Sequence, residues 1–110
     1  MKKKFVSTMR KGFHMTFENG LGASVQWGAG NYCDNHFDFD FSFSKDAQSD
    51  TAEVAAFYNG NMINANQFMP DDVRDSCDTV VGWLTPEQVL DFLCNLKNAN
   101  PAEIDTSGDY

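Results

Sequence analysis

Residues Phe13 to Asn35 read FHMTFENGLGASVQWGAGNYCDN, and the parity of their apolar positions decides the fold. Phe13, Met15 and Phe17 alternate with His14, Thr16 and Glu18, the period expected of a strand with one buried face. After the turn, Leu21, Ala23, Val25 and Trp27 alternate with Gly22, Ser24 and Gln26. A two-residue Asn19-Gly20 loop would pair Phe17 with Gly22 and set apolar against polar faces. A three-residue loop of Glu18, Asn19 and Gly20 instead pairs Phe17 with Leu21, Met15 with Ala23 and Phe13 with Val25. That register keeps one face apolar throughout and uses Gly20 as the left-handed residue of a bulged turn. The stretch is therefore an antiparallel hairpin that runs directly into a glycine-rich turn, Gly28 to Asn35.

Working outward, residues 1–11 are basic and weakly patterned, which fits an arm or an edge strand. Residues 36–43, HFDFDFSF, alternate strictly: Phe37, Phe39, Phe41 and Phe43 on one face, His36, Asp38, Asp40 and Ser42 on the other. AEVAAFY, Ala52 to Tyr58, reads as a further strand, and Asn59-Gly60 as a hairpin turn into Asn61 to Ala65, with a register that the moderately apolar faces leave open. Gln67 to Asp78 is an acidic irregular loop with a helical turn. TVVGWL, Thr79 to Leu84, reads as a short strand interrupted by Gly82. The helix that follows is fully signposted: Thr85 as N-cap, Pro86 at the first helical position and Gln88 as the reciprocal capping residue. Val89, Phe92, Leu93 and Leu96 make its buried stripe. Asn100-Pro101 ends it, and residues 99–110 read as an acidic tail expected to be disordered. The sum is one α+β domain over residues 12–98: a meander-like antiparallel sheet of four to six strands with one C-terminal helix packed on one face.

A chain of 110 residues is large enough for one core, and ten Phe and two Trp supply apolar surface to fill it. The formal net charge is −8, but five of the eight basic residues lie in residues 1–11. Lys45, Arg74 and Lys97 then face all 16 acids, so residues 12–110 carry −13. Such a body repels phosphate backbones and disfavours direct nucleic-acid binding; it suits a basic protein partner. No apolar run has the length of a membrane span or a signal peptide, so a membrane partner and secretion are not expected. Cys33, Cys77 and Cys94 have no metal spacing and cannot all pair, which reads as reduced thiols, with Cys94 a small core residue on the helix.

Three constellations are candidates for chemistry. In the Gly28 to Asn35 turn, Gly28 and Gly30 let backbone amides converge, while Asn31, Tyr32 and Asn35 offer polar and stacking contacts to a ligand, next to Asp38 and Asp40. The competing reading is an irregular turn whose asparagines satisfy its own backbone, with Tyr32 packed on the sheet. His14, Glu18, His36 and Asp38 could meet on a polar sheet face and hold zinc or manganese. Cys33 could be a nucleophile with His14 or His36 as base, although a buried thiol is the plainer reading. Trp27, Tyr58, Met62, Met69 and Trp83 belong to the core by default, or form a patch for a partner; a homodimer is one way to cover the second sheet face.

The string F-x-x-x-F-x-N-G-x-x-x-S-V-Q-x-G-x-G-N-Y-C-x-N is carried here by Phe13, Phe17, Asn19, Gly20, Ser24, Val25, Gln26, Gly28, Gly30, Asn31, Tyr32, Cys33 and Asn35. It resembles a family of small, largely uncharacterised proteins of tailed bacteriophages and prophages. The later run Ala52-Glu53-Val54-Ala55, the turn at Gly60, and Gly82 before Thr85-Pro86-Glu87-Gln88-Val89 are similar too. The HFDFDF segment is more acidic and aromatic than that pattern, and Asn61 to Asp78 is longer. The resemblance implies phage origin and a place in the infected host's cytoplasm, and supplies no activity. With no catalytic set evident, the chain reads as a non-enzymatic accessory protein without a cofactor, binding a host protein or a small ligand to blunt an anti-phage defence. Alternatives are a small metal-dependent hydrolase on the histidine–carboxylate face and a minor virion component.

Overall fold

In the three-residue loop of the first hairpin, Gly20 stands at φ 88° and its N–H donates to the Phe17 carbonyl (3.1 Å), which closes the turn. The pairing that follows is the one parity demands: Phe13 with Val25 and Met15 with Ala23. This computed structural model describes residues 4–8, 10–28, 31–34, 47–73 and 79–107. Within them the order is β1 (Phe5–Ser7), β2 (Gly12–Thr16), β3 (Leu21–Gln26), β4 (Ala52–Tyr58), β5 (Asn61–Ile63), β6 (Val81–Leu84) and α1 (Pro86–Asn98). The alternating stretch 36–43 lies outside the described residues, and so do Gly30, Asn35 and Cys77.

All pairings are antiparallel, in the spatial order β1-β2-β3-β4-β5, with β6 lying along the other half of the same β4 edge that β5 occupies. The basic N-terminal segment thus contributes an edge strand. Asn59 (φ 49°) and Gly60 (φ 87°) make a two-residue turn that pairs Tyr58 with Asn61 and resolves the open register. The β5 strand is shorter than its sequence suggests. It stops at Ile63 because the Asn64 side chain accepts from the Asn66 N–H and caps a 3₁₀ turn, Ala65–Phe68.

Helix α1 carries both halves of its capping box: the Thr85 hydroxyl accepts from Gln88 N–H, and the Gln88 side chain accepts from Thr85 N–H. Phe92 and Leu96 on the helix are fully buried against Leu21, Ala23, Val25, Val54, Ala56 and Leu84 of the sheet. Phe68 and Met69 close the core from the side, with Phe68 and Phe92 edge to face at 6.4 Å between centroids. Cys94 is exposed, which corrects its expected place in the core. It lies about 200° around the helix from Phe92 and shares the outer face with Leu90 and Lys97.

Beyond the helix, Pro101–Glu103 forms a 3₁₀ turn and Ile104 packs against the core. Gln67 and Asp105 exchange two hydrogen bonds, Gln67 Nε2 to Asp105 O (2.8 Å) and Asp105 N to Gln67 Oε1 (2.9 Å). Residues 99–107 are thereby tied to the domain, where the sequence reads as a loose tail.

Candidate functional site

The glycine-rich turn is folded onto itself over its described residues. Asn31 Oδ1 accepts from Gly28 N–H (3.1 Å), and Gly28 O accepts from Asn31 N–H (3.2 Å). Gly28 is buried, as is Cys33, whose thiol donates to the Gly28 carbonyl (3.6 Å). Asn31 Nδ2 reaches Glu53 Oε1 at 3.4 Å, a long contact, while Tyr32 N–H donates to Glu53 Oε2 at 3.0 Å. Asp34 N–H donates to Thr51 Oγ1 (2.9 Å), and that hydroxyl donates to Asp34 Oδ1 (2.7 Å). These bonds satisfy backbone groups of Gly28, Asn31, Tyr32 and Asp34, a local use of side chains common in glycine- and asparagine-rich turns.

What the corner presents outward is aromatic. Tyr32 stacks on Trp83, centroids 5.6 Å apart and rings within 16° of parallel, and Trp83 is 53% exposed. The geometry that places Trp83 there is unusual for a strand. In the β4–β6 ladder Ala52 pairs with Leu84 and Val54 with Val81, so Gly82 and Trp83 together oppose the single residue Glu53. This is a β-bulge, which re-aims a side chain at the expense of the ladder. Trp83 takes φ 53°, a left-handed conformation disfavoured for a bulky residue. Its N–H leaves the ladder and donates to the Tyr32 carbonyl at 2.8 Å. Gly82 is required beside it: a Cβ there would fall 2.3 Å from Tyr32 Cβ and 2.7 Å from Tyr32 O. The backbone of Tyr32 is clamped between the Glu53 carboxylate and the Trp83 N–H.

The other nominated residues are more scattered. His14 is exposed and stacks on Phe57 at 6.0 Å, across the small residues Gly22 and Ser24 of β3. Glu18 is in the hairpin loop and pairs with Lys4 at 3.9 Å, both side chains largely in solvent. Among the described residues, no group of three His, Cys, Asp or Glu is placed to hold a metal ion; His36, Asp38 and Asp40 lie outside them. Of the apolar residues weighed as a patch, Met69 is fully buried, Trp27 and Tyr58 pack on the core, and Trp83 is exposed.

Sequence reasoning missed Glu53. The signal that would have found it is the Gly82-Trp83 interruption in a strand whose flanking residues, Val81 and Leu84, both face the core. Such spacing needs an extra residue, and the residue opposite is Glu53. A second concavity, an apolar cleft of about 410 Å³, lies between the first half of α1 and the sheet, lined by Phe13, Trp27, Leu84, Val89 and Leu93 with Asp50 at its rim. No described helix is long and apolar enough to cross a membrane. No family model, curated protein or solved structure matches the chain.

Proposed function

We propose that this protein acts by binding, with the Tyr32–Trp83 corner as its contact surface and a host protein as its partner. The observation that carries the reading is Trp83 itself: a bulge, a left-handed backbone and an obligatory glycine are all used to turn a tryptophan out of a strand. Strain of that kind, of order 1–3 kcal/mol per residue, is typically held at sites that engage something else. Exposed Trp and Tyr are the side chains that most often anchor protein contacts. The phage-like motif from Phe13 to Asn35 supports the biological setting: an accessory protein in an infected bacterial cytoplasm that blunts a defence system.

Comparison of tagged wild-type and Trp83→Gly protein as baits in infected-host lysate tests this. The expected result is a protein captured by the wild type and lost from the variant, identified by quantitative mass spectrometry. Identical captures by both baits would remove the corner from the interaction. A second reading, capture of a small apolar ligand, is favoured by the cleft under α1. Native mass spectrometry of the purified chain would detect such a ligand as a discrete added mass.

A further inference from the structure

We infer that the outer edge of β1 accepts an added strand from a partner protein, and that the strand it selects is acidic. This surface is separate from the Tyr32–Trp83 corner and does not depend on it. Register fixes what the edge offers. Phe5 pairs with Met15, Val6 with His14 and Ser7 with Phe13. Thr16 N–H donates to the Lys4 carbonyl (3.0 Å), and Thr8 N–H to the Gly12 carbonyl (3.0 Å). Ladder bonds alternate along an antiparallel strand, so Lys4, Val6 and Thr8 turn their backbone toward β2. Phe5 and Ser7 each turn an N–H and a C=O outward instead, where β1 ends the sheet order of the described residues. The side chains there are apolar. Phe5 is 73% exposed on the face it shares with Met15, and Val6 is 46% exposed on the face it shares with His14. An edge with apolar residues on both faces is a template for another strand.

Charge then selects among strands. Residues 1–11 carry five bases and no acid, whereas residues 12–110 carry −13. Lys4 adjoins the edge, and its 3.9 Å pair with Glu18 leaves both side chains largely in solvent. Lysine beside an edge keeps other strands off, and it does so least for a strand of opposite charge. The net −8 does not cancel this. At 0.15 M salt, charges are screened beyond about 8 Å, well short of the molecule's narrowest dimension of 25 Å, so local charge decides. A second copy adding through the same edge would lay two segments of net +5 side by side. A nucleic-acid strand matches the charge, but its phosphates accept hydrogen bonds and cannot donate to the Phe5 and Ser7 carbonyls. A peptide strand does both.

NMR titration of the full chain at 0.15 M sodium chloride tests the assignment with two end-blocked hexapeptides, one alternating valine with glutamate and one valine with lysine. The glutamate peptide is expected to slow hydrogen exchange of the Phe5 and Ser7 amides several-fold and to leave Val6, already in the ladder, unchanged. It is expected to bind about fivefold more tightly than the lysine peptide, the gap that one or two exposed charge pairs supply. Ser7→Pro removes an outward N–H without touching the β1–β2 ladder, a position where an edge strand tolerates proline, and is expected to abolish binding. Lys4→Gln is expected to weaken binding by about threefold. Circular dichroism confirms that each variant is folded, and the wild-type exchange pattern with Lys4→Gln decides alone if Ser7→Pro is not. Unchanged exchange at Phe5 and Ser7, equal or tighter binding of the lysine peptide, or binding that survives in folded Ser7→Pro would overturn the assignment. Protection of Phe5 and Ser7 that rises with protein concentration before any peptide is added would give the edge to a second copy and overturn it equally.

Discussion

Asn19 lies 77 residues before Leu96, and its side-chain amide joins the first hairpin to the end of α1. Its Nδ2 donates to the carbonyls of Leu96 (2.9 Å) and Ala99 (3.1 Å), while Oδ1 accepts from Leu21 N–H (3.0 Å). The last carbonyls of a helix have no intrahelical donor, so one asparagine here caps a helix from a distant loop. Asn19→Asp keeps the Oδ1 bond, removes the donor and sets a negative charge at the negative end of the helix dipole. It is expected to destabilise the fold by about 1–3 kcal/mol in chemical denaturation, and more than Asn19→Ala. If Asn19→Asp proves the milder of the two, the cap is not what Asn19 contributes. At Trp83 the balance differs. Glycine relieves the positive φ by roughly 1 kcal/mol and forfeits about as much ring stacking, so Trp83→Gly is expected to be close to neutral in stability. Gly82→Ala drives a Cβ into Tyr32 and is expected to cost about 2–3 kcal/mol. Thermal unfolding of the two variants side by side separates a strained backbone position from a packing one.

At the scale of elements, what could be read from the sequence was whatever obeys a local period. The three-residue loop followed from parity, because a one-residue slip would expose Phe13 and Phe17 together. The α1 start followed from Thr85, Pro86 and Gln88, and the β4–β5 turn from Asn59-Gly60. What was not legible depends on partners far away in the chain. Asn19 gives no sign of its helix, and the Gly82-Trp83 interruption marks an extra residue opposite Glu53 without showing that Glu53 will hold the Tyr32 N–H. Cys94 misleads because its apolar identity contradicts its phase on the helix. The end of the chain misleads in the opposite sense. Its composition is that of a loose tail, yet Ile104 and the Gln67–Asp105 pair dock it. There the Ser107 hydroxyl, and after it the Ser107 N–H, bond the Asp105 carboxylate and hold it below the usual 3.8. A depressed carboxyl pKa means the bond is present above that value and is lost as pH falls through the folded pKa. The Ser107 amide shift in NMR is therefore expected to titrate with a midpoint below 3.8; a midpoint at or above it would mean that the turn is not held by Asp105.

The whole molecule is dominated by like charge. A net −8 on 110 residues opposes the compact state through self-repulsion, and the salt bridge of Lys4 with Glu18 is exposed at both ends. Added salt therefore has a net repulsion to screen. Raising sodium chloride from 0.1 to 1 M shortens the screening length from about 10 to about 3 Å, shorter than the spacing of most surface charges. Stability is expected to rise with salt by an amount of order 1 kcal/mol, or about 4–8 °C in Tm for a domain of this size. Sulfate would confound the measurement because it strengthens burial by exclusion, so chloride is the salt to use. The control lies in pH: near the isoelectric point of about 4.4 the net charge vanishes and the salt effect should vanish with it. A Tm that falls with chloride at neutral pH would mean that attractive pairs outweigh the repulsion. The acidic surface would then be a stabilising network rather than a face held ready for a cationic partner.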